Sequence, residues 1–188
     1  LVTSVAPFSY PANPDLAKAM EYLNAARGAC GFGLLAQNSK LDQAANDQAL
    51  YLAQNAGLGR AVGHNQVSSY PGFTGVTVRD RTAYRGYTGS GVSEGIVLSP
   101  LGGLNATRHV ASLMAVTYHM TDAFGPFLDV GFSTVADPTK ASAYTATVAN
   151  YGYQSVQQLP AGNALATFPC EGSIVPWEAH GAENPDPI

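Results

Sequence analysis

Charge is what this sequence has least of. Only 12% of its 188 residues are Asp, Glu, Lys or Arg, against about 25% in an ordinary soluble domain. Nine basic and thirteen acidic side chains leave a net charge of −4, and no basic run occurs anywhere. A nucleic-acid partner is therefore excluded, since phosphate binding needs clustered cations to displace counterions. Attachment to an anionic membrane surface by charge is excluded on the same ground. No apolar run approaches the roughly 18 residues of a membrane span, and the opening "LVTSVAPFSY" has no basic-then-apolar leader. Solubility rests on Ser, Thr, Asn, Gln and Gly, a surface that suits a secreted protein better than a cytosolic one.

Cysteine is nearly as scarce. Cys30 and Cys170 are either two buried thiols or a bridge closing a loop of about 140 residues. They are too far apart for a redox C-x-x-C pair, and no histidine stands near enough for a zinc knuckle.

What is present begins with two amphipathic helices. "NPDLAKAMEYLNAARG" places Asn13 as a cap, Pro14 in the first turn and Leu16, Ala19, Met20 and Leu23 on one stripe. In "SKLDQAANDQALYLAQNAG", Ser39 is the expected cap and Leu41, Ala45, Ala49 and Leu52 form the stripe. Residues 57–103 are loop-rich, with a short helix near "VRDRTAYRGY" and a strand at "EGIVLS". Asn105 is expected to cap one long helix, "ATRHVASLMAVTYHM", which makes it a poor glycosylation acceptor despite its Asn-Ala-Thr triplet. "FLDVGFSTVA" and "AYTATVANYG" read as antiparallel strands joined by the turn "DPTKAS". Helices followed by an antiparallel pair define an α+β chain.

Two motifs invite a catalytic reading. "GVSEG" spells the G-x-S-x-G nucleophile elbow, with Ser93, Asp129 and His180 in the chain order of a hydrolase triad. An elbow needs a strand before it and a helix after it, and "GYTGSG" and "IVLSPLGG" supply neither. "TGSGVSEG" lacks the Lys-Ser/Thr of a phosphate loop. Four polar groups remain: His64, Glu94, His109 and His119. Two imidazoles and a carboxylate suffice to hold a divalent metal such as zinc with positions left for water, but none of the histidine spacings is a tight ligand spacing. Each histidine taken singly reads first as a surface or hydrogen-bonded residue.

The order of these motifs resembles a CAP domain, the superfamily of cysteine-rich secretory, antigen 5 and pathogenesis-related proteins, in its bacterial SCP form. The likeness is carried by "YLNAARGACGFGLLAQNSKLDQAANDQALYLAQNAG", "GHNQVSSYPGFTGVTVRDR", "SEGIV" and "HVASLMAVTYHMTDAFGPFLDVGFSTVA". It implies a three-layer α-β-α sandwich around a small antiparallel sheet, with residues 1–14 a lead-in, 15–152 the domain and 153–188 a loop-rich extension packed on it. It further implies a secreted, periplasmic or cell-surface protein with a cleft lined by two histidines and two acids. Residue by residue, His64 and His119 match the histidines and candidate metal ligands, and Glu94 matches the first acid and candidate catalytic group. The second acid falls at Val116, which neither coordinates nor titrates. The glycine, arginine and asparagine of the pattern are replaced by Tyr118, Met120 and Gly95, and His109 is left on the helix surface. Tyr70, Phe73, Tyr87 and Tyr118 are candidates to line the cleft. The implied ligand is a small molecule, a lipid or a cell-wall component, with zinc or another divalent cation as the implied cofactor. A binding module is the leading expectation; a metal-dependent hydrolase in the same cleft and a Ser93 esterase are the alternatives.

Overall fold

The computed structural model describes residues 1–100, 105–136 and 144–173. Helix α1 spans Pro14–Ala29 and α2 spans Ser39–Ala56. Leu16, Ala19, Met20 and Leu23 are buried as their spacing predicts. The caps differ from expectation. Asn13 makes no side-chain capping bond, and α2 is capped one residue earlier than Ser39, by Asn38, whose Oδ1 accepts from the backbone N–H groups of Lys40 and Leu41. A short α3, Val78–Tyr84, follows the long loop and opens with a capping box between Thr77 and Asp80.

Four strands, β1 (Ala36–Gln37), β2 (Gly91–Pro100), β3 (Asp129–Ala136) and β4 (Tyr144–Tyr153), form one sheet in the order β1-β3-β4-β2. Its β2–β4 and β3–β4 pairs are antiparallel and β1 runs parallel to β3. The pleat divides the core. Ala146 and Val148 of β4 pack with Ala45, Ala49 and Leu52 of α2. Ala149 and Tyr151, with Val130 and Phe132 of β3, face Met20 and Leu23 of α1 and Val110 and Leu113 of the helix after β2. Helices thus cover both faces, and the fold is the expected α-β-α sandwich. Gly131 lets α2 lie directly on β3: a Cβ there would stand 2.0 Å from the Leu41 carbonyl carbon.

The expected long helix is two. α4 (Ala106–Ala115) and α5 (Thr117–Ala123) are separated by Val116, whose extended backbone (φ −99°, ψ 140°) ends one helix and starts the next. Val116 and Thr117 are both β-branched, which lowers helix propensity at the junction. Asn105 does cap α4, accepting from Arg108 N–H at 2.9 Å. The turn "DPTKAS" and His180 lie outside the described residues.

Beyond β4 the chain returns to α1. Gln158 Nε2 donates to the Leu34 carbonyl at 3.0 Å, its Oε1 accepts from Val2 N–H at 3.2 Å, and the Phe168 ring stacks on Phe124 with centroids 3.9 Å apart. Cys30 and Cys170 are bonded, with Cα atoms 5.4 Å apart. Of the two alternatives for these cysteines, the structure selects the bridge.

Candidate functional site at the free edge of the sheet

Strand β2 lies at the edge of the sheet, so its two faces are reached from neighbouring elements around one open side. Glu94 points to the face shared with α2 and α3. Ser93, one residue earlier, points to the face shared with α5. The candidate residues assemble around this edge.

His64 sits in the loop between α2 and α3, and buried polar side chains of α2 pin that loop. Gln48 Nε2 donates to the Gly63 carbonyl at 2.9 Å, Tyr51 Oη accepts from Val67 N–H at 2.9 Å, and Asn55 Nδ2 donates to the Pro71 carbonyl at 3.0 Å. Gln66, itself buried, donates to Gln48 Oε1 and accepts from Thr74 N–H. A segment without regular structure is held by side-chain bonds in place of a ladder, and His64 is set at its start with 52% of its side chain exposed.

Glu94 is the opposite case, with 1% of its side chain exposed. Its Oε1 lies 3.1 Å from His64 Nδ1 and its Oε2 accepts from Arg81 Nη2 at 2.7 Å. Arg81, one turn into α3, is fully buried and also donates Nη1 to the Val76 carbonyl at 3.0 Å. A buried carboxylate of this kind persists only when paired and hydrogen-bonded. His119 comes from α5, and its ring centroid is 6.1 Å from that of His64. His64 therefore lies beside both Glu94 and His119, which follow it by 30 and 55 residues in sequence.

Asp122 was not legible as part of this site. It lies one turn beyond His119 on α5, and its Oδ1 accepts from Ser93 Oγ at 2.5 Å. Burial holds its carboxyl above the usual aspartate range; the Ser93 hydrogen bond and the proximity of His64 oppose that rise, while Glu94 adds to it. Asp122 thus adds a second carboxyl beside Glu94 and His64. The i, i+3 spacing of His119 and Asp122 was the available signal. Arg81 was also missed, although it stands four residues after the capping threonine.

Other expectations are corrected. His109 is not a surface residue: it is fully buried, with Nδ1 facing Thr147 Oγ1 at 2.5 Å and Nε2 facing Ser99 Oγ at 3.3 Å, because α4 turns that face toward the hydroxyls of β2 and β4. Ser93, where the flanking segments already argued against a nucleophile elbow, stands inside strand β2, and Asp129 accepts from Tyr87 Oη at 2.9 Å. Tyr87 is buried and Tyr70 stacks on Tyr51 over the α2 core. Phe73 and Tyr118 are the exposed members of the aromatic set.

The donor set bears on the implied metal. Among the described residues no group of three or more His, Cys, Asp and Glu side chains is placed to hold an ion. Both Glu94 oxygens are engaged by Arg81 and His64, and Asp122 is engaged by Ser93. The described donors therefore do not make a four-ligand resident zinc site. A concavity of about 670 Å³ between the N-terminal segment and α1, lined by Val5, Phe8, Asn24, Gly28 and Leu34 among others, includes none of the cleft residues.

No protein-family model matches the chain, and no curated protein matches it in sequence. Two solved structures share its fold. An outer surface protein from Borrelia burgdorferi superposes with a TM-score of 0.60 at 14% identity, over 80% of this chain and the whole of that one. An extracellular protein containing an SCP domain from Bacillus anthracis gives 0.52 at 13% identity, over 79% of this chain and 45% of that one. At such identities the likeness is one of fold alone.

Proposed function

We propose that the chain is a secreted or cell-surface binding module whose ligand enters the cleft at the edge of β2, between His64 and His119. The observation that carries this reading is the convergence of His64, Glu94 and His119 from a loop, a strand and a helix that share no local sequence. The Cys30–Cys170 bridge supports an oxidising compartment, as do the surface and extracellular descriptions of the two structural neighbours. No described helix is long and apolar enough to cross a membrane. The ligand class is a small molecule, a lipid or a cell-wall component presenting a polar group to the imidazoles, with the exposed Phe73 and Tyr118 available to its apolar part.

Zinc or another divalent cation enters this reading as a weakly held ion on His64 and His119. A metal-dependent hydrolase would need Glu94 turned toward a metal-bound water, and the engagement of Glu94 by Arg81 and His64 favours binding over hydrolysis. Calorimetric titration of zinc into the wild type and into His64→Ala tests the assignment. Weaker binding by the variant, by about tenfold for one lost ligand bond of ordinary strength, supports it; equal binding by both removes His64 from the ligand set.

A further inference from the structure

Glu94 does more than neighbour His64. Its Oε2 takes two donors: Arg81 Nη2 at 2.7 Å and, in the amide orientation that satisfies both ends of its side chain, Asn150 Nδ2 at 3.2 Å, while Asn150 Oδ1 accepts from Ala45 N–H at 3.0 Å. Asn150 is held in place because it pairs with Glu94 across β4 and β2. Arg81 and Glu94 are both sealed from solvent and form an ion pair. An ionised carboxylate only accepts hydrogen bonds. Its remaining oxygen, Oε1, faces His64 Nδ1 at 3.1 Å.

We infer that Arg81 and Asn150 are positioning residues that fix the proton of His64. By occupying Oε2 they leave Oε1 to accept from Nδ1–H, so Nε2 is presented without a proton. The ligand atom that meets His64 is then a hydrogen-bond donor, such as a hydroxyl or ammonium group, and not an acceptor such as a carbonyl. Imidazole free in solution favours the opposite tautomer, so the protein must impose this one. The bond that imposes it is charge-assisted, which gives roughly a tenfold preference or more. The inference uses the proposed binding role only in treating Nε2 as the atom facing the ligand.

Nitrogen-15 NMR of the His64 ring at about pH 9, where peptide imidazoles are neutral, reads the tautomer without any ligand. A failure here is thereby distinguishable from a failure of the binding proposal. The wild type is expected to show a protonated Nδ1 and an unprotonated Nε2; a predominantly protonated Nε2 overturns the inference. Glu94→Gln makes a sharper test because it is isosteric. Arg81 and Asn150 both donate, so they capture the new amide oxygen and turn its NH2 toward His64. Nδ1 must then accept, and the two nitrogen shifts are expected to exchange places. In the Glu94→Gln/Arg81→Met double variant the amide keeps only Asn150 as an orienting donor, and the Nε2–H population is expected to fall from its Glu94→Gln level toward that of an unconstrained histidine. Retention of the wild-type tautomer in Glu94→Gln, or a Nε2–H population in the double variant as high as in Glu94→Gln, overturns the role given to Arg81.

Discussion

Arg27 and Asp122 show how single side chains set the conditions under which this chain folds. Arg27 has 1% of its surface exposed and donates to three carbonyls: Gly33 at 2.7 Å through Nε, Ala123 at 2.6 Å through Nη1, and Gly125 at 3.1 Å through both Nη1 and Nη2. Burial pulls its guanidinium below the usual arginine range to about 10, with Tyr151 opposing the fall. It therefore ties the end of α1 to the end of α5. Arg27→Met should cost about 3 kcal/mol, since three buried carbonyls lose their donor; a urea midpoint near that of the wild type would show that they find others. Asp122 carries a pH signature. Its native pKa lies above the ordinary 3.8 because of burial first, so between those two values the folded chain holds more protons than the unfolded one. Stability from this group is present at low pH and is lost as pH rises through the native pKa. Asp42, bonded to Tyr10, Gln37 and the Phe132 N–H and likewise raised by burial, acts in the same direction. Asp122→Asn should flatten, without abolishing, the decline in urea stability as pH rises above the ordinary aspartate range; an unchanged profile would contradict the assignment.

At the scale of elements, α2 lies directly on β3 at Gly131, with no room for a side chain. An added methyl would meet helix backbone, which has no rotamer to yield, so Gly131→Ala should destabilise by about 3 kcal/mol or more. Chemical denaturation of the variant checks this directly. The same elements explain what was readable. The stripes of α1 and α2 follow from 3.6-residue spacing, and β3 and β4 from their turn-bounded β-rich runs, so the layers were legible. The break at Val116 was not, because the apolar spacing on either side of it continues in one helical phase. His109 was left on the surface because nothing local in the sequence shows that its side of α4 meets the hydroxyls of Ser99 and Thr147, and Asp122 was passed over because it matches no motif. Arg81 escaped notice because a charged residue on a short helix reads as exposed until the sheet edge is placed against it. His64, Glu94 and His119 were legible through motif order, whereas their partners arise from contacts between elements that no local pattern records.

The whole molecule depends on one covalent tie and one open edge. The Cys30–Cys170 bridge closes 140 residues of chain, and the loop-entropy argument assigns it up to about 5 kcal/mol. Cys170→Ser, or reduction, should lower the unfolding free energy by about 2 to 5 kcal/mol; no change would mean that the extension adds little constraint. The open edge of β2 is where the account commits most, since it makes one cleft of a loop histidine, a strand glutamate and a helix histidine. The most direct measurement is a zinc titration followed by NMR of the four histidine side chains. The account predicts that His64 and His119 shift together over one saturating curve while buried His109 stays still. Shifts confined to His109 or His180, or none at either His64 or His119, would contradict it.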